Sequence, residues 1–231
     1  MVSKIIEEPS YRDRRFVFVD RLHAGELLAA KIQRYVGRDP ILLAVPAGGV
    51  PVGYAVAKRL MVQLEVIVVR KIQFPWNPEA GFGAVAWDGT TIINELLVTS
   101  LGLSGELVQR CVSLARKNVY ERVKKFRGDK PFPSLKGRVV TLIDDGLASG
   151  FTMLAAVESV RKQSPKEIVV AVPTSSESAV DILLPNVDKL VCLNVRGGPV
   201  FAVADAYQSW YDVSDEEVMK FLKMSQRSEQ T

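Results

Sequence analysis

The sequence predicts an α/β fold: a Rossmann-like central parallel sheet with helices on both faces. Three observations predict it. Short apolar runs recur at residues 41–45, 65–69, 138–143, 167–172 and 189–194, too short for helices and without the polar alternation of a half-exposed strand. Segments of helical spacing separate them, so successive strands need crossover connections and lie parallel. Glycines, a basic pair and an acidic pair stand where these runs end, the edge at which open α/β sheets bind their ligands.

The elements follow in order. Residues 23–36 have helical periodicity and Gly37 stops them. The run 41–45 is a buried strand ending in P-A-G-G-V-P-V-G, and a helix follows to about residue 60. The next strand, 65–69, carries Arg70 and Lys71 at its end. Residues 72–83, rich in Pro, Trp and Gly, read as a loop. Two β-like runs, 84–87 and 90–94, flank Asp88-Gly89, a hairpin turn signal. A long helix spans 104–126, with Ser104 suited to cap it, and residues 129–133 break the pattern. The strand 138–143, a helix over 152–162, the strand 167–172, a helix over 175–184 and the strand 189–194 complete the alternation. A tail with aromatic residues leads to a terminal helix over 214–224. There is no internal repeat and no low-complexity tract.

Composition narrows the function classes. At 231 residues and 48% apolar content, the chain fits one domain with a small accessory lobe. The expected division is a core over residues 38–194 and a hood from 1–37 and 195–231. No run is long and apolar enough for a bilayer span, and no secretory signal pattern opens the chain. Cys111 and Cys192 stand far apart, as idle thiols in a reducing cytoplasm would. A net charge of +4 suits an anionic small ligand, while the basic stretch 116–130 is interrupted by Glu121 and Asp129 and reads as a solvated helix, not a nucleic-acid surface. One histidine and two dispersed cysteines exclude a nitrogen/sulfur metal centre, so any metal is a hard cation such as Mg²⁺. His23, at a helix start, reads as a capping or surface residue. The segment G-F-G-A-V-A at 81–86 fits a dinucleotide pattern but opens no helix, so it carries no such reading.

The chemistry concentrates at residues 139–152, V-V-T-L-I-D-D-G-L-A-S-G-F-T. Asp144 and Asp145 stand together at a buried strand end, where two carboxylates repel unless a ligand or cation uses them. Gly146, Leu147, Ala148, Ser149, Gly150, Phe151 and Thr152 lead into a helix, offering backbone N–H groups and two hydroxyls to a phosphate. No lysine follows Gly150, which excludes the triphosphate-binding loop of kinases and ATPases. A phosphorylated sugar, its hydroxyls on the aspartates, is the ligand this corner suits.

This stretch resembles the signature of the type I phosphoribosyltransferases, and more narrowly a poorly characterised group of them. The loop at 46–53 resembles that family's diphosphate loop, and softer likenesses at 18–29 and 76–89 extend the resemblance over most of the chain. It departs from the pattern at Ser149, more often Thr, at Gly146, and at Ala47, where relatives often carry Arg. The resemblance implies transfer of phosphoribosyl from 5-phosphoribosyl-1-diphosphate, with Mg²⁺, to an acceptor of nucleobase type, as in nucleotide salvage. It implies that Asp144 and Asp145 hold the ribose, that residues 146–152 hold the 5′-phosphate, and that Ala47, Gly48, Gly49 and Arg70 or Lys71 meet the diphosphate. The Mg²⁺ is expected mainly on ligand oxygens, with no direct protein ligand. A strained peptide in the diphosphate loop and a mobile loop, here residues 72–87, are further implications. The hood aromatics Phe201, Tyr207, Trp210 and Tyr211 are candidates either to stack on the acceptor or to pack the core of that lobe, and Val172, Pro173 and Thr174 are candidates to line the acceptor. A homodimer is a possible assembly; nucleic acid and membrane are not expected partners. The rival reading is a regulatory protein that binds phosphoribosyl diphosphate without turnover; a weaker third is a sugar-phosphate hydrolase or phosphotransferase.

Overall fold

The computed structural model describes residues 4–37 and 39–228. Residue 38, the expected start of the core, lies outside the described residues. In chain order the elements are β1 (Ile5–Glu7), α1 (Arg21–Ile32), β2 (Pro40–Ala44), α2 (Gly49–Leu60), β3 (Leu64–Val66), β4 (Val69–Phe74), β5 (Asn77–Ala86) and β6 (Thr91–Ile93). Then come α3 (Glu95–Ser100), α4 (Gly105–Arg127), β7 (Val139–Ile143), α5 (Phe151–Arg161), β8 (Glu167–Ser176), α6 (Glu177–Leu183), β9 (Lys189–Arg196) and α7 (Asp215–Ser228).

Six strands form a wholly parallel sheet in the order β1-β9-β8-β7-β2-β3. Its central strand stretches are mostly apolar because both faces are covered, and alternate residues serve opposite faces. Leu42, Ala44, Ile143, Val169, Ala171, Val191 and Leu193 pack toward α1, α2 and the tail. Ile41, Leu43, Val140, Leu142, Ile168, Val170 and Cys192 pack toward α5 and α6. The α1–α2 crossing is close because Gly25 has no side chain: a Cβ there would lie 2.6 Å from the Val52 carbonyl oxygen.

The chain departs from expectation between residues 67 and 87. The basic pair does not end a core strand. The parallel sheet gives up β3 at Val66, and Arg70 and Lys71 lie inside β4, in a separate antiparallel sheet β4-β5-β6. The stretch expected as a loop, with its mobile lid, is the β4–β5 hairpin. Its glycines mark close strand approach, not a turn: a Cβ on Gly81 would lie 2.5 Å from the Ile72 carbonyl oxygen, and one on Gly83 would lie 2.2 Å from that of Ile92. Asn77 Oδ1 accepts hydrogen bonds from the N–H groups of Glu79 and Ala80 and shapes the hairpin end. The Asp88-Gly89 turn is as expected, with Gly89 at φ +85° and the Asp88 carboxylate accepting from Thr90 N–H and Oγ1.

The segment read as an N-terminal hood also differs. Its first strand pairs with β9 in the main sheet, and α1 packs on α2 and the sheet face. The antiparallel sheet packs on α4 and α5, and residues 203–206 of the tail pack beside β8. Among the described residues no helix is long and apolar enough to cross a membrane. Cys111 and Cys192 are buried free thiols, and burial pushes both thiol pKa values up.

Candidate active site

Sheet register brings the two motifs together. Ala44 pairs with Ile143, so β2 and β7 end side by side and release their loops at one point. The loops interlock through glycine: a Cβ on Gly48 would sit 1.9 Å from Asp145 Oδ2, and one on Gly49 would sit 2.8 Å from Asp144 Cα. The Pro46–Ala47 peptide in this turn is cis.

Both loops end in a helix without a side-chain cap. Neither α2, entered through Gly48, nor α5, entered through Gly150 at φ +78°, has a capping side chain. The other helices do: Asp20, Asn94, Ser104, Ser176 and Ser214 accept from the first turns of α1, α3, α4, α6 and α7. Among the described residues, the backbone N–H groups of Ala47 and Gly48 meet no protein acceptor, and neither do those of Ala148, Ser149, Gly150, Phe151 and Thr152. At α2 the Gly49 and Val50 N–H groups are answered by the Val45 and Ala47 carbonyls, so the free donors there belong to the turn before it; at α5 the helix end itself keeps its donors free, the arrangement that binds phosphate groups.

The second loop is nevertheless held firmly. Leu147 pairs with the extended end of β8, donating to the Thr174 carbonyl at 3.0 Å and accepting from Ser176 N–H at 2.9 Å. Ser176 Oγ donates to the Ala148 carbonyl at 2.6 Å. Gly146, a departure from the family pattern, is required by packing: a Cβ there would meet Val203 Cγ1 at 2.5 Å.

Asp144, Ser149, Gly150 and Thr152 line a cavity of about 400 Å³, with Lys71 opposite and Glu79, Ala80 and Gly81 as its roof. Lys71 Nζ is tethered to the Glu79 carbonyl at 2.6 Å. Arg70 does not line this cavity; adjacent strand residues point to opposite faces, and Arg70 is turned toward Arg122 and Asp215. Burial and the nearby Arg122 charge lower its pKa, and its Nε has no hydrogen-bond partner.

The two aspartates differ in surroundings. Asp144 Oδ1 accepts from the Asp145 N–H at 2.8 Å. Burial, then the Asp145 charge, raises the Asp144 pKa well above the ordinary carboxyl value. Asp145 Oδ2 is bound by Arg21 Nε at 2.8 Å, and its carbonyl accepts from Tyr207 Oη at 2.6 Å. Sequence reasoning misses Arg21: its partners lie 124 and 190 positions away, and no local pattern announces it.

The expected acceptor-lining groups are largely engaged elsewhere. Thr174 is fully buried with Oγ1 donating to Asn194 Oδ1 at 2.7 Å, and Val172 is fully buried in the core. Tyr207 is buried, Trp210 lies under the Arg21 guanidinium, and Phe201 faces Arg196. His23 has the expected capping role: its N–H donates to Asp20, and its Nδ1 accepts from Val19 N–H.

Residues 18–181 match the phosphoribosyl transferase domain family. The chain belongs to that family. Two Mycobacterium tuberculosis proteins, one named "Putative phosphoribosyl transferase Rv0571c", are each 35% identical to it over 214 residues, 91% of this chain. The chain spans about half the length of these curated relatives, 47%. The crystal structure of TT1426 from Thermus thermophilus is similar, with a TM-score of 0.72 and 35% identity over 90% of this chain and 98% of that one. The phosphoribosyl transferase domain match covers the diphosphate-type loop, the antiparallel sheet and the aspartate corner together.

Proposed function

We propose that the protein transfers phosphoribosyl from 5-phosphoribosyl-1-diphosphate to a nitrogen of a small acceptor of nucleobase type, in the cytoplasm. The observation that carries this reading is the pair of uncapped helix ends meeting at Asp144 and Asp145. The bond from the anomeric carbon to diphosphate breaks, the diphosphate leaves with the electron pair, and a carbon–nitrogen bond forms as the acceptor nitrogen gives up a proton.

The N–H groups of Ala148 to Thr152, with the Ser149 and Thr152 hydroxyls, hold the 5′-phosphate. Asp144 and Asp145 accept hydrogen bonds from the ribose hydroxyls and place negative charge near the carbon that becomes cationic. Ala47 and Gly48 N–H groups and the Lys71 ammonium meet the diphosphate. Mg²⁺ would reach the site with the donor, held mainly through the donor's own oxygens beside the Asp144 and Asp145 carboxylates. Bound in that way, Mg²⁺ supplies charge neutralisation for the leaving group.

Ala47 favours a second reading, a regulator that binds the same donor without turnover, because the loop lacks a cation at that position. One assay separates them: the protein with phosphoribosyl diphosphate, Mg²⁺ and a panel of bases, followed by diphosphate release and nucleotide formation. Product with any base supports the enzyme. Binding without product supports the regulator, and absence of binding defeats both.

A further inference from the structure

Arg21 opens α1, far from either ligand loop in sequence, yet its side chain is only 6% exposed. Its Nε donates to Asp145 Oδ2 and its Nη1 to the Tyr211 carbonyl, each at 2.8 Å. Its Cζ lies 3.8 Å from the centre of the Trp210 ring. Tyr207, beside Trp210 with ring centres 5.2 Å apart, donates to the Asp145 carbonyl. The tail aromatics form a collar around a cation, and the cation holds one carboxylate of the pair.

We propose that Arg21 is a positioning residue for the donor sugar: it fixes the Asp145 carboxylate beside Gly48 and offsets the charge of the acidic pair. This rests on the phosphoribosyl-diphosphate reading. Without Arg21, the Asp145 carboxylate would lose the partner that holds it in the space Gly48 leaves, and no cation would stand between the acidic pair and the tail. Lys71 and Glu79 share the cavity with Asp144; Tyr207 lies near the pair, Arg21 and Cys192 of β9; and Asp20, Tyr211 and, from α7, Glu217 gather around Arg21.

The sign of the pH effect follows. Burial and Asp145 raise the Asp144 pKa, and the Arg21 charge lowers it. Removing Arg21 raises it further, so the folded protein holds its proton to higher pH and loses more stability as pH rises.

The test uses Arg21→Gln and Arg21→Lys in the full chain. Without ligand, melting temperature is followed from pH 5 to 8; it is expected to fall more steeply with rising pH in Arg21→Gln than in the wild type. With phosphoribosyl diphosphate and Mg²⁺, the pH of half-maximal affinity is expected to move up. Arg21→Lys, which keeps the charge but not the planar fork, should restore the pH dependence and only part of the affinity. If Arg21→Gln does not fold, Trp210→Leu takes its place, with a smaller shift in the same direction. A lower melting temperature with unchanged pH dependence makes Arg21 a structural brace and overturns the inference. Tighter donor binding in Arg21→Gln also overturns it, by making Arg21 an obstruction. Wild-type protein that fails to bind the donor defeats the functional reading instead, and the ligand-free comparison still reports on the charge role of Arg21.

Discussion

The two sides of the aspartate corner are built on opposite terms. On the loop side, two helices begin without side-chain caps, and the N–H groups of Ala148, Ser149, Gly150 and Thr152, residues that line the cavity, meet no protein acceptor. On the tail side the groups that face the corner are answered: Arg21 by Asp145, Trp210 and Tyr211, and Tyr207 by the Asp145 carbonyl. Adjacent residues therefore serve different ends. Asp144 sits toward the open side in a setting that disfavours its charge, while Asp145 is anchored to the closed side. Local stability is given up where the proposed donor would bind and is recovered a few ångströms away.

Breaking the closed side should have the largest effect. Asp145→Asn leaves Arg21 buried beside a neutral partner and is expected to destabilise the protein by about 3 kcal/mol, read from denaturant unfolding. The mirror substitution sharpens the comparison. Asp144→Asn removes a carboxyl whose raised pKa makes stability fall as pH rises above the ordinary carboxyl range. It should raise the melting temperature at pH 8, flatten its pH dependence and abolish donor binding; a lower melting temperature at pH 8 would contradict the assignment.

Gly49→Ala probes the seam between the loops. Its Cβ would meet backbone, 2.7 Å from the Ile143 carbonyl oxygen, so a loss of about 1–3 kcal/mol is expected together with weakened donor binding. The smallest effect belongs to a capped helix remote from the corner. Ser104→Ala should lower stability by about 1 kcal/mol and leave donor affinity unchanged. A change in affinity there would show that capped and open helix ends are not separate in function.

What is legible in the sequence follows from how local each signal is. The aspartate corner is a run of neighbouring residues in which strand, carboxylates and small-residue loop declare themselves together. The Ser104 cap and the Asp88-Gly89 turn are equally local. The β4–β5 hairpin is hidden because Gly81 and Gly83 answer to Ile72 and Ile92 on neighbouring strands, and composition alone reads such glycines as loop. Arg70 and Lys71 look equivalent in sequence, but a strand inside a second sheet sends them to opposite faces. Strand β1 has three residues, too few for periodicity, and its pairing with β9 joins the ends of the fold. Arg21 belongs with these non-local features.

The Arg21 collar also bears on the order in which the molecule assembles. Asp145 is tied to a residue 124 positions before it and to a residue 62 positions after it. During synthesis the loops and the acidic pair emerge well before Tyr207, Trp210 and Tyr211, so an emerging chain holds the two loops of the corner before it holds the collar that braces them. Contacts of such long sequence separation form late and slow the final step of folding. Hydrogen exchange during refolding should show α1 and the Asp145 amide gaining protection after the strands of the parallel sheet.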